Sequence, residues 1–126
     1  MGTDGIGHRG QGQKVNAARG RGAQRKGASA EREVASFLRD NGLPHADRRG
    51  SGFTASDIIG TPGVSWEIKD QDAIRLREWF AQTEEQQTED GAQLGVLIIK
   101  RKGKTNPGDW YAVVTLADLC DLLEGR

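Results

Sequence analysis

A carboxylate at Asp57, a second at Glu67 and an amine at Lys69 are the side chains in this sequence best placed to act together on one small charged site. Val64, Trp66 and Ile68 alternate with Ser65, Glu67 and Lys69. In a strand, alternate side chains point to opposite faces, so Glu67 and Lys69 share one face while the apolar trio packs on the other. Two residues along a strand span roughly 6.6 Å, within reach of a common ligand. Ser56-Asp57-Ile58-Ile59 reads as a short strand, and Gly60-Thr61-Pro62-Gly63 as the turn that folds it back, which brings Asp57 beside Glu67. Two carboxylates held together repel each other unless a cation sits between them. Few protein oxygens and no nitrogen or sulfur donors suit Mg²⁺, which keeps several waters and shares its shell with phosphate. An adjacent lysine suits steadying an attacking water or the charge growing on a phosphoryl group. The same pattern also suits a surface hairpin with solvated charges, and the spacing leaves both readings open.

The elements that position this stretch follow from hydrophobic periodicity. Ser29 suits the N-cap of a helix, with Glu31 and Glu33 in its first turn, where the helix dipole favours negative charge. Ala30, Val34, Phe37 and Leu38 form its core stripe. Glu31 falls at the border of that stripe, suited to dipole stabilisation or to a site beside the sheet, and Arg32 faces away. Asn41-Gly42 suits a left-handed cap. Leu43 to Asp47 is a weak strand, and Arg48-Arg49-Gly50-Ser51-Gly52 a basic loop whose amides and guanidinium groups suit either phosphate or water. A helix is expected from about Ala73 to Glu89, with Trp79 and Phe80 on its apolar face; Gln82 and Gln86, one turn apart, read as surface residues, with one of them near the site as the alternative, and the acidic run Glu84, Glu85, Glu89, Asp90 as a solvated face. Leu94 to Lys100 is a continuous apolar run, expected as a central strand buried on both faces. Arg101, Lys102 and Lys104 then lead into a turn at Thr105–Gly108, and Asp109 to Val114 returns as a strand. Thr115 caps a last helix whose Leu116, Leu119, Leu122 and Leu123 are expected to face the sheet.

The charge totals balance, with 18 basic and 18 acidic residues in 126, but unevenly. Residues 1–27 carry six basic side chains against Asp4 alone, together with eight glycines and few large apolar groups. Such a segment buries too little to offset its ordering entropy, so a disordered basic tail over 1–27 is expected ahead of one domain at 28–126. Arg19-Gly20-Arg21-Gly22 resembles segments that grip nucleic-acid backbones, and a flexible solubilising tail is the plainer alternative. The single Cys120 cannot form an internal disulfide and reads as a packing residue in a reducing compartment. No apolar run reaches membrane-spanning length and no signal segment opens the chain, so a soluble, cytoplasmic protein with no membrane partner is expected. His8 and His45 are isolated, and nothing has the spacing of a zinc site.

Lys26-Gly27-Ala28, Glu31-Arg32-Glu33, a glycine-ended helix, arginines before Gly50-Ser51-Gly52, then Ser56-Asp57-Ile58 and Glu67-Ile68-Lys69, in that order, resemble the archaeal-type Holliday junction resolvases. The likeness is stronger still to their compact phage-encoded versions, within the PD-(D/E)XK nuclease superfamily. It spans residues 25–114. The E-x-K triplet alone is common; the ordered set is far more specific. The chain departs from the pattern at Ser56, where the family usually has a proline that shapes the turn and is no ligand, and in its long arginine-glycine leader.

The resemblance implies an α/β, restriction-endonuclease-like core: a mixed central sheet of about five strands flanked by helices. It implies catalytic residues Glu31, Asp57, Glu67 and Lys69, with Asp57, Glu67 and the Ile68 carbonyl on Mg²⁺ (Mn²⁺ as a substitute) and Glu31 completing the shell directly or through water. Arg32, one of Arg48 and Arg49, and Ser51 correspond to DNA-contacting positions, joined by Arg101, Lys102 and Lys104. The implied activity is paired phosphodiester hydrolysis in branched DNA, by a homodimer, in recombination or phage genome processing, with the host cytoplasm as location and no small-molecule substrate. A related nuclease acting on flaps or forks, and a non-catalytic nucleic-acid-binding module, are the alternatives.

Overall fold

Two parallel strands, β3 (Val64–Lys69) and β4 (Leu94–Ile99), form the centre of the fold, paired in register from Val64 opposite Leu94 to Lys69 opposite Ile99. The structure is a computed structural model and describes residues 10–49 and 56–125, with the backbone alone described for residues 10–24. Parallel neighbours need a long crossover, and α2 (Leu76–Asp90) provides it. β5 (Tyr111–Val113) adds antiparallel to β4. β1 (Asp47–Arg48) and β2 (Ile58–Ile59) form a separate antiparallel pair.

Among the described residues the architecture is therefore mixed α/β, with five strands, three α-helices and a 3₁₀ turn at Pro107–Asp109. The strands make two small sheets, of two and three strands, where a single sheet was expected. The reason lies at Asp57. Its N–H donates to the Trp66 carbonyl, but the next amide along β3, that of Ile68, donates to the Asp57 carboxylate. A side chain stands where a backbone carbonyl would continue the ladder.

Both faces of the three-stranded sheet are covered, as the apolar run at β4 requires. Trp66, Ile68, Val96 and Ile98 pack with Ala30, Val34 and Ala35 of α1 (Gly10–Asp40) and with Trp110. Leu97 and Ile99 pack with Trp79 on the α2 face. Burying a side chain of this size is worth about 1.5–3 kcal/mol, so these two clusters hold the layers together.

Three local expectations are corrected. Helix α1 does not open at Ser29 but runs back to Gly10, so residues 10–27 lie in its backbone span and Ser29 is interior, donating to Glu33 at 3.4 Å. Once a helix is nucleated each added residue gains a hydrogen bond at small cost, which favours continuation over a fresh start. Residues 1–9 of the expected disordered tail lie outside the described residues. In α3 (Leu116–Leu123) Thr115 caps as expected, accepting from the Asp118 amide, but the leucines are not buried against the sheet. Leu116 and Leu123 are 76% and 78% exposed, while Leu122, half exposed, lines a cavity with Val64 and Leu94 at the start of β3 and β4. Cys120 is exposed rather than packed.

The turns follow their glycines. Gly42 ends α1 at φ 100°, and Gly60 sits at φ 83° where an added Cβ would collide with the His45 carbonyl. No helix among the described residues is long and apolar enough to cross a membrane.

Candidate active site

Ser56 fixes the segment that carries Asp57. Its hydroxyl accepts from the Trp66 amide at 2.8 Å and donates to the Ile58 carbonyl at 2.6 Å, and its own N–H donates to Asp90 at 3.1 Å. Asp90, the last residue of α2, also accepts from the Ser65 hydroxyl at 3.0 Å. Helix, turn and strand are thus tied together at the residue before Asp57. Trp66 adds a further tie through its indole N–H, which donates to Thr61 at 2.8 Å.

Asp57 Oδ2 then accepts from the Ile68 amide at 2.8 Å and faces Glu67. Glu67 lies under α2 with only 8% of its side chain exposed, and Lys69 Nζ stands 3.2 Å from its Oε2. Burial pushes the Asp57 carboxyl up to about 8; the charge of Glu67 and a hydrogen bond shared with it add to the rise, and Glu31 adds a little more. The Ile68 amide pulls the other way. The Asp57 carboxyl therefore keeps its proton near neutral pH, as burial beside a second acidic side chain favours the uncharged form.

Glu31 is half-buried and engaged by Arg48, whose Nε donates to Glu31 Oε1 at 2.8 Å. Arg48 thus turns inward to a carboxylate, and its Nε is not directed at solvent phosphate. Among the described residues no three of His, Cys, Asp and Glu are arranged to hold a metal ion. The expected convergence of three carboxylates is met by two, with Glu31 within electrostatic reach only. Oxygen donors still suit a hard cation that keeps much of its water shell. Within a strand, N–H and C=O of one residue point to the same edge. The Ile68 carbonyl accordingly lies on the Asp57 edge, as its amide does. The donor set, Asp57, Glu67 and a backbone carbonyl, fits Mg²⁺ held partly by water.

The basic groups expected to meet DNA are distributed around this core. Arg32 is exposed, facing away from the α1 core stripe. Arg49 is held by its backbone, whose N–H donates to the Asp57 carbonyl at 3.0 Å. Ser51 lies outside the described residues. Arg101, Lys102 and Lys104, with Lys26 and Lys100, line a cavity of about 340 Å³ that opens beside Asp70, just past the end of β3. Arg101 donates to the Asp109 carbonyl at 2.9 Å and lies 4.7 Å from the centre of the Tyr111 ring. Lys102 pairs with Asp72 at 3.1 Å, which lowers the Asp72 carboxyl. Lys100 reaches Glu33 at 3.3 Å, and its ammonium lies 5.1 Å from the Trp110 ring centre.

Sequence reasoning missed Ser56 as an anchor and Asp90 as its partner, and left open which of Gln82 and Gln86, if either, turns toward the site. Gln82 and Gln86 are half-buried, not surface residues, and Asp90 is half-buried while Glu84, Glu85 and Glu89 are exposed. The recurrence of Thr83, Gln86 and Asp90 at three- and four-residue steps was the available signal. Comparison of the chain with protein-family models, curated proteins and solved structures finds no match to any of the three.

Proposed function

We propose that this chain is a Mg²⁺-dependent, structure-specific endonuclease with a restriction-endonuclease-like core, resolving four-way DNA junctions as a homodimer. One observation carries the reading: Asp57 and Glu67, brought from separate segments, are packed within hydrogen-bond reach of each other, with Lys69 Nζ 3.2 Å from Glu67 Oε2. A surface hairpin with solvated charges has no reason to bury them.

Asp57, Glu67 and the Ile68 carbonyl would hold the ion, with Glu31 acting through water. The ion supplies Lewis-acid polarisation of a phosphate oxygen and lowers the pKa of a water, making a nucleophile near neutral pH. Lys69 orients that nucleophile or stabilises charge at the phosphorus, at no reorganisation cost because Glu67 already holds it. Arg48 keeps Glu31 in place. Arg32, Arg49, Arg101, Lys102 and Lys104 hold the nucleic-acid backbone, by charge and without base selection. Resolution requires two matched nicks, and a two-fold dimer supplies the paired sites.

Purified protein incubated with labelled four-way junctions, forks, flaps and linear duplex, with and without Mg²⁺, tests this. Paired nicks in the junction, dependent on Mg²⁺, are expected. Equal cutting of all four substrates ends the junction assignment and leaves a general nuclease. Binding without any metal-dependent cutting leaves a nucleic-acid-binding module.

A further inference from the structure

The amide oxygen of Gln86 is buried and has no hydrogen-bond partner among the described residues, the sole such side-chain atom there. Buried polar atoms are rarely left so, and an orphan marks a missing water, ion or ligand. Its place in α2 says which. Asp90 bonds Ser65, and Gln87 covers Gly95, where a Cβ would stand 2.8 Å from its amide oxygen. Around the helix axis Gln87 lies about 60° to one side of Asp90 and Gln86 about 40° to the other. With Gln87 over β4, Gln86 leans over β3 toward the Asp57 edge. One turn back from Asp90 is about 6 Å along the axis; from Ser65 to Glu67 is roughly 6.6 Å along the strand. As the crossover between parallel strands, α2 runs antiparallel to β3, so Gln86 stands level with Glu67.

We infer that Gln86 is a positioning residue of the cation site, its amide oxygen accepting a hydrogen bond from the water shell of the ion held by Asp57 and Glu67. This rests on the reading of the active site given above. It accounts for two facts at once: an acidic pair too small to encase an ion, and a buried amide oxygen on the covering helix without a donor.

Thermal unfolding of the full chain, titrated with MgCl₂, tests the assignment without recourse to cleavage. Gln86→Met keeps the length and removes the oxygen. Its metal-free midpoint should equal or exceed that of the wild type, since an unsatisfied buried polar group costs stability. The MgCl₂ concentration for half-maximal stabilisation should rise about tenfold, the lower end for residues that orient a metal's ligands. Gln86→Glu keeps an oxygen and adds charge, and its half-maximal concentration should fall below that of the wild type. Both variants titrating within about twofold of wild type overturn the inference; should Gln86→Met not fold, Gln86→Glu decides alone. If Asp57→Asn and Glu67→Gln abolish the Mg²⁺ response while both Gln86 variants keep the wild-type half-maximal concentration, only the Gln86 assignment falls. If Asp57→Asn and Glu67→Gln leave the response intact, the cation site itself is refuted.

Discussion

Asp57 and Glu67 make the metal-free protein sensitive to pH in a direction that can be worked out. Asp57 keeps its proton up to about pH 8 in the folded chain, against an ordinary value of 3.8. Between those values the folded state binds a proton that the unfolded state has released, so stability falls as pH rises. The slope approaches one proton, about 1.4 kcal/mol per pH unit. Glu67 and Glu31 face the group, so Asp57→Asn should flatten the dependence and Glu67→Gln weaken it, measured as urea midpoints at pH 5 and pH 8 in the presence of a chelator. A slope unchanged by Asp57→Asn sinks the account of a buried, protonated Asp57. The proposed catalysis makes a second demand on the same atoms. Asp57→Asn, Glu67→Gln and Lys69→Met should each lower junction cleavage by about 10²–10³, while junction affinity in gel shifts stays within a few-fold. The acid–acid–lysine grouping was readable from the period-2 alternation, since a strand leaves side chains only two directions. Which acid would be the more deeply buried was not, because that depends on α2 lying over Glu67.

The turn before Asp57 is the element on which the site stands, and two substitutions probe it. Gly60→Ala places a methyl group against the His45 carbonyl at a positive φ. A loss of more than about 2 kcal/mol is expected, from left-handed strain and the collision together. Ser56→Ala removes the acceptor of the Trp66 amide and the donor to Ile58, both buried. It should cost about 1–3 kcal/mol, as a lost buried hydrogen bond with its partners left unmatched. Chemical denaturation measures both; losses under 0.5 kcal/mol would remove the turn from the argument. Strands β3 and β4 and helix α2 follow the apolar pattern of the sequence to within a few residues. The last helix does not, since Leu116, Leu119, Leu122 and Leu123 mark an apolar face whatever lies beneath it, and all four are exposed.

The whole molecule carries an acidic pair at one edge of the sheet and a basic cavity just beyond the end of β3. A strand of nucleic acid crossing that edge would set one phosphate at the carboxylates and others against Arg101 and Lys104. Each phosphate neutralised contributes about 0.9 to the slope of log affinity against log salt. The double substitution Arg101→Ala, Lys104→Ala should therefore flatten the slope by about 1.8, with the cleavage rate of bound junction preserved. An unchanged slope would place the backbone path elsewhere. Sedimentation of the full chain at twice the mass of one copy is expected from the need for two nicks; a monomer that still makes paired cuts would contradict the proposed dimer.

Local order was enough to give the class of fold and the neighbouring side chains that come together on β3 and the turn before it. Side-chain alternation, helical stripes and glycine turns are properties of neighbouring residues, so the mixed α/β pattern and the Asp57–Glu67–Lys69 grouping could be read along the chain. Contacts between residues distant in sequence were out of that reach. Arg48 folding inward onto Glu31, Asp90 reaching back to Ser56 and Ser65, and Gln86 arriving level with Glu67 each depend on how α1 and α2 settle on the sheet. That docking is set by the packing of Trp66, Trp79 and Leu97 against their helices, a many-body fit that no single stretch of residues encodes.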